Sequence, residues 1–495
     1  MLKKLLTNHL SVISILLETN DNPYLVFESL NAKGLALSQA DLIRNYFFMR
    51  IHIKEQEKIY SEYWKPMQDS FQQDLTEFIR HYIMKDGSKV RESDVYFALK
   101  EITDKGDVID WLGDLRKFST YYEKITHPEK EENTDIRHAL SRLNRLQITT
   151  VYPFLLNCYD KYNLCELTSD DFIEILKTLE NFLIRRFICN IPTNQLNKIF
   201  SPLNHQIQSG GFANYIEGTK TLLQNKAYPK DTEFRERIMD AKLYGGGDRA
   251  IKSKLILETI EESYGHKERI DFDRLEIEHV MPQTLTDFWK TYLGDDWEKV
   301  HDLVLHTIGN LTLTAYNPEI SNGDFETKKG YYGQSHLEMN KYFKDIGGWK
   351  QDEIEARSEF LANRALEIWP YFGKEERQII EKSPLTGKTP KMLKCLGQET
   401  PVSSWRDVLE ANMNTIAEYE PEKFKELIKY FPGFIGLDEK KFRSPRQLMN
   451  GAFVEVDHLS ARTTQHLCYQ ALETIGLTTD DWAVEVADKS LIISL

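Results

Sequence analysis

Glu278 and His279 stand side by side in the run DRLEIEHVMPQ, with Asn310 in Gly309-Asn310-Leu311 about thirty residues on and Asn317, just before Pro318, seven further. Hydrolysis of a phosphodiester needs a base to activate water and a cation to stabilise the charge that develops on the phosphorane and the leaving oxygen. An imidazole at a strand end suits the first task, because its ordinary pKa of about 6.5 lies close to working pH. It needs a partner to fix its tautomer and ring orientation. A carboxylate and an amide oxygen are hard donors that suit Mg²⁺ or Mn²⁺ better than zinc. One ion that keeps several of its waters needs only about two protein ligands.

The elements around these residues are expected to position them. DRLEIEHVMPQ reads as a strand ending at His279, followed by a loop with Trp289 and Trp297. IGNLTLT reads as a second strand, and Asn317-Pro318 as a turn that opens a helix. The stretch Trp349 to Trp369 has the three- and four-residue apolar spacing of an amphipathic helix. Singly, each residue has an ordinary explanation: a histidine on a strand is mostly structural, Asn after Gly marks a turn, and Asn before Pro caps a helix. The conjunction in strand–loop–strand–helix order is what carries specificity. The reading requires His279 to be open to solvent and its ring to face Glu278 and Asn317.

The rest of the chain reads as helical up to about residue 265, then this mixed region over 266–372, a polar linker over 373–399 and a small α+β domain over 400–495. The fold class is therefore α+β, predominantly α-helical. In 170–190, Phe172, Leu176, Leu179, Leu183 and Phe187 share one helix face, and Arg185 and Arg186 read as solvated or ion-paired, with a phosphate contact as the alternative. Pro153 is expected to break the helical run 136–162. Ser38 is expected to cap a helix with Asp41 in its first turn, and Ser403 or Ser404 another. YLVFESL (24–30) reads as a short strand or buried run, and residues 1–21 fit an amphipathic helix better than a signal peptide.

Several classes are excluded or disfavoured. GGGDR (245–249) and Gly387-Lys388-Thr389 lack the spacing of a phosphate-wrapping loop, so no nucleotide site is assigned. Five cysteines without a C-x-x-C pair argue for a reducing, cytoplasmic setting and against a thiolate zinc cage. No apolar stretch is long enough to span a membrane. With 63 basic and 77 acidic residues the net charge is −14. Within 270–370 ten Lys/Arg face nineteen Asp/Glu, a difference of −9. Such a region cannot hold DNA by bulk charge. Binding would need the ion, local basic contacts or neighbouring domains. His458 and His466, eight apart, form no catalytic pattern.

IEHVMPQTL, HTIGNLTLT, AYNPEISNGDFETKK and the helix with Arg357 and Trp369 resemble the C-terminal HNH nuclease domain of the GmrSD-type restriction endonucleases. FESLNAKGLALSQADLIRNYFF and LENFLIRRFICNIPTNQLNKIF resemble the later part of that family's N-terminal domain. The resemblance implies a ββα-metal core with His279 as general base and Asn310 as the brace that helps orient it. Glu278 and Asn317 would be ligands to Mg²⁺ or Mn²⁺, with Asn322 a rival for the latter place. Lys328, Lys329 and Arg357 would be candidate phosphate contacts, with a surface residue or an ion pair the alternative for each. It implies a metal-dependent DNA endonuclease of the restriction or anti-phage kind, with modified phage DNA a candidate substrate. The alternative is a non-catalytic or partner-dependent subunit derived from one, and an RNase is a third option. The family's opening DGQQR-type motif is not found. A chain shortened at its front, or a companion chain that supplies the ParB-like segment, is the expectation that follows, and it leaves nucleotide dependence open.

Overall fold

The computed structural model describes residues 37–373 apart from 269, and 389–494 apart from 432–433, 443, 457–460, 478–481 and 487–491. The expectations for residues 1–36, for Gly387 and Lys388 and for His458 lie outside the described residues. The chain divides into two compact units, Met1–Glu375 and Glu376–Leu495. It is mostly helical with small sheets.

In the first unit the long central helix is Ser169–Ile188. Thr168 and Asp171 form a reciprocal capping box at its start. Its apolar spacing buries Phe172, Leu176, Leu179 and Leu183, and its polar side chains are buried too. Glu180 takes Arg142 at 2.6 Å and the Trp369 indole N–H at 3.0 Å. Arg185 donates to the carbonyls of Trp369 (2.9 Å) and Pro229 (2.7 Å) and pairs with Asp231, while Arg186 donates to the carbonyls of Lys226, Ala227 and Pro192. Both guanidiniums thus satisfy main chain rather than water, as buried charges must. Ser38 caps Gln39–Met49 and accepts from the Asp41 N–H. Pro153 stands in the first turn of Tyr152–Asn163, where its missing N–H costs nothing, and the preceding helix is Thr134–Asn144.

The mixed region does not stand apart from this bundle. Its residues Ile308, Leu311, Leu313, Leu337, Leu361 and Trp369 belong to the same continuous core as the helices before it. The two strands expected here are present: β1, Glu276–His279, and β2, Leu311–Thr314, pair antiparallel with His279 opposite Leu311 and Glu276 opposite Thr314. IGN precedes β2 as a single 3-10 turn, Ile308–Asn310. The stretch with Trp289 and Trp297 is not a loop: it holds the helices Asp287–Leu293 and Trp297–Val304. After β2 come the short helix Asn317–Ile320, the helix Phe325–Tyr332 and the helix Gln351–Ile368. Among the described residues, no helix is long and apolar enough to cross a membrane.

In the second unit, β3 (Pro390–Cys395) and β4 (Gln398–Pro401) form a sheet with β5 (Ala483–Val486) and β6 (Ile492–Ser494), in the order β4-β3-β5-β6. β3 stands inside the stretch expected as linker, 373–399, and β4 straddles its end. Ser404 caps Trp405–Tyr419, accepting from the Asp407 N–H. Leu393, Leu409, Ile416, Trp482 and Val484 make the core. A three-stranded sheet and the helix Ala461–Thr474, which carries His466, complete the unit.

Candidate functional site

The site is built on β1. Successive strand residues point to opposite faces, so Glu276 and Glu278 share one face while Ile277 and His279 share the other. The ribbon ends where the Val280 N–H donates to the Asn310 carbonyl at 2.9 Å.

Asn310 is fully buried and uses its whole amide. Its Oδ1 accepts from the Met281 N–H (2.7 Å) and the Trp349 indole (3.0 Å). Its Nδ2 donates to the carbonyls of Met281 and Leu305, both at 2.9 Å. It therefore ties the chain just after His279 to the turn before β2. Gly309 is required beside it: a Cβ there would fall 2.1 Å from the Ile354 carbonyl oxygen.

His279 keeps only 4% of its surface exposed. Its Nε2 faces His306 Nδ1 at 3.1 Å, and Tyr244 packs edge-on against it at 4.7 Å between ring centres. Burial, followed by the neighbouring His306, Lys328 and His301, lowers its pKa to about 3, so the ring is neutral. The ring nitrogen engaged at His306 points away from the Glu278 face. The expected openness to solvent and the expected facing of Glu278 and Asn317 are therefore both corrected: His279 is buried, on the strand face opposite Glu278; Nδ1 is the nitrogen left outside the His306 contact.

On the opposite face, Glu278 pairs with the fully buried Lys328 of the helix Phe325–Tyr332, whose ammonium also donates to the His279 carbonyl at 2.8 Å. Burial raises the Glu278 pKa against the pull of Lys328, and burial lowers that of Lys328. Asn317 Nδ2 lies 3.4 Å from Glu276 Oε2, and its Oδ1 is buried without a hydrogen-bond partner. An orphaned buried oxygen beside a carboxylate is what a hard-cation ligand looks like before a ligand arrives. Asn322 is exposed in the turn after Asn317–Ile320. Among the described residues no group of three or more His, Cys, Asp or Glu is placed to hold a metal ion. The oxygen donors on this face are two carboxylates and an amide.

The expected phosphate contacts are placed otherwise. Arg357 is fully buried and donates to the carbonyls of Gly309 (2.7 Å) and Leu311 (2.6 Å) and to Thr312 Oγ1 (3.3 Å). It fastens the turn and β2 to the helix Gln351–Ile368 and cannot reach a substrate from there. Lys328 is held by Glu278, and the half-buried Lys329 donates to the Ile346 carbonyl at 2.7 Å. Three residues at the site escaped the sequence reading: His306, Tyr244 and Glu276. Glu276 had a signal, since it precedes Glu278 by two on a strand. His306 and Tyr244 had none, because they meet His279 only through the fold.

Residues 228–364 match the family model of the GmrSD restriction endonucleases, C-terminal domain. This stretch holds β1, β2 and every candidate residue of the site. Over this stretch the chain is similar to the C-terminal domain of the GmrSD restriction endonucleases. No curated protein matches the chain.

Proposed function

We propose that the chain is a metal-dependent DNA endonuclease of the restriction or anti-phage kind, with an HNH-type site at β1. The observation that supports this most is the orphaned Asn317 Oδ1, whose own amide nitrogen lies 3.4 Å from Glu276, inside the matched segment. Glu278 and Asn317, with Glu276 next to them, would hold one Mg²⁺ or Mn²⁺. Bound there, such an ion would supply the positive charge that a pentacoordinate phosphate and its leaving oxygen need. His279, neutral through burial, would take the proton of the attacking water on Nδ1. Asn310 would hold the strand end and its following loop in register. Restriction of modified phage DNA is the substrate class that accords with the family.

A second reading has its own observation: His279 is nearly sealed and Glu278 is already neutralised by Lys328. Both suit a subunit that is inert alone and is completed by a companion chain.

Incubating the purified chain with plasmid, and with unmodified and modified phage DNA, in Mg²⁺ or Mn²⁺ decides between them. Cleavage by the chain alone, lost in His279→Ala, supports the enzyme. Absence of cleavage on every substrate, with activity only after a partner is added, supports the subunit.

A further inference from the structure

We infer that His306 is the positioning residue for His279, fixing its tautomer so that Nδ1 carries the free lone pair; this rests on the nuclease reading above. The two rings meet nitrogen to nitrogen, Nε2 to Nδ1 at 3.1 Å, with planes 77° apart. Between two neutral imidazoles such a contact needs one proton, carried by one of the two facing nitrogens. If His279 Nε2–H donates, its Nδ1 is an acceptor and can take a proton from water. If His306 Nδ1–H donates instead, His279 Nδ1 carries the ring proton and is useless as a base. The partner's identity thus decides the chemistry of the nitrogen on the far side of the ring.

The clamp is built from three separate parts of the fold. His306 is half-buried, so its own Nε2–H can be satisfied at the surface, while the nearly sealed His279 must find its partner inside. The His306 carbonyl accepts the Leu243 N–H at 2.9 Å, which fixes the backbone beneath the ring. Tyr244, the next residue, touches both imidazoles: edge-on to His279, and nearly parallel to His306 at 28° and 5.8 Å. On the chain, His306 precedes by four residues the Asn310 that braces the far end of β1. Through its bonds to Met281 and Leu305, Asn310 therefore ties the chain just after the base to the segment that carries the clamp. A neutral imidazole as the acceptor differs from a carboxylate: it orients the base without adding negative charge beside a phosphodiester.

The test uses the full chain, labelled with ¹⁵N at histidine, and the variants His306→Ala and His306→Asn. The Asn amide oxygen can stand in for Nδ1 as an acceptor, whereas Ala cannot. In the wild type, long-range ¹H–¹⁵N spectra are expected to give His279 a single Nε2–H tautomer. His306→Ala is expected to lose that single tautomer and to lower kcat for DNA cleavage about 10- to 100-fold, as loss of an orienting partner does, with KM little changed. His306→Asn is expected to restore both. An Nδ1–H tautomer in the wild type overturns the inference, as do equal rates for the Ala and Asn variants or an Ala variant as fast as the wild type. Should the Ala variant fail to fold, the wild-type spectrum and the Asn variant still decide. A wild-type chain that cuts no DNA but has the Nε2–H tautomer, lost only in the Ala variant, sinks the nuclease reading and leaves the clamp standing.

Discussion

Lys328 is sealed against Glu278, its ammonium shared between that carboxylate and the His279 carbonyl 2.8 Å away. The pair explains how an acidic residue can sit mostly buried on a two-stranded ribbon: each charge offsets the other's desolvation. Removing one partner strands the other. Lys328→Met is therefore expected to cost roughly 3–5 kcal/mol, read as a fall in the urea midpoint. The double variant Glu278→Gln/Lys328→Met should recover most of it. If Lys328→Met alone is as stable as the wild type, the pair does not matter to the fold.

Acid should weaken the first unit through its buried histidines. His81 is 1% exposed, between Tyr122 Oη at 3.0 Å, Tyr152, Glu77 and Arg80. Burial outweighs the pull of Glu77 and lowers its pKa to about 4. In the unfolded chain the value is about 6.5. Between those two values the unfolded state binds a proton that the native state refuses, so stability rises with pH there and is lost on acidification. The loss from His81 is about 3 kcal/mol by pH 4. His279, depressed in the same direction, adds to it. Urea midpoints measured from pH 7 to pH 4.5 should fall steeply, and less steeply in His81→Asn; a flat profile in the wild type would contradict this.

How far the sequence foretold all this differs from residue to residue. β1, the Asn317 turn and the caps at Ser38 and Ser404 follow from local rules and stand where those rules put them. As phosphate contacts, the role the resemblance implies for them, Lys328 and Arg357 would have to be exposed, and both are buried. Their spacing carried the opposite message. Lys328 lies three after Phe325 and four before Tyr332, and Arg357 lies three after Ile354 and four before Leu361. Both therefore stand on the apolar stripe of their helices, which faces the core. The helices at 287–293 and 297–304 were missed because seven or eight residues show too little periodicity. The contact of His279 with His306 and Tyr244 joins residues 27 and 35 positions away, and no pattern of spacing encodes it.

Arg357 makes a sharper test of burial against substrate contact. Its charge-assisted bonds to Gly309, Leu311 and Thr312, with the guanidinium 4.6 Å over the Phe343 ring, are about 1.5–3 kcal/mol each for the charged hydrogen bonds. Lysine cannot reproduce that fork. Arg357→Lys is expected to lower stability by several kcal/mol yet leave the salt dependence of DNA binding unchanged. Loss of one phosphate contact would reduce the slope of log K against log salt by about one, and that outcome would return Arg357 to the substrate.

Asn310 offers four hydrogen bonds through one amide, so its removal leaves the Met281 N–H and the Trp349 indole unpaired in the interior. Each orphan costs about 1–3 kcal/mol. Asn310→Ala should therefore be destabilised by several kcal/mol, and hydrogen exchange at Val280 and Met281 should accelerate together. Unchanged protection at those two amides would mean that the brace is redundant.

The metal reading turns on an oxygen rather than on a base. Asn317 Oδ1 is buried with no partner, a state that costs free energy unless something else satisfies it. Asn317→Ala removes that burden and the ligand together. In the absence of divalent ions the variant should be at least as stable as the wild type. With Mn²⁺ added, the wild type alone should gain, by RT ln(1 + [Mn²⁺]/Kd), and bound Mn²⁺ counted by electron paramagnetic resonance should fall in the variant. Glu278→Ala should weaken binding likewise, whereas Asn322→Ala should not, since Asn322 is exposed in the following turn. If Asn322→Ala is the variant that loses the ion, the ligand belongs five residues further on and the Asn317 oxygen is merely strained.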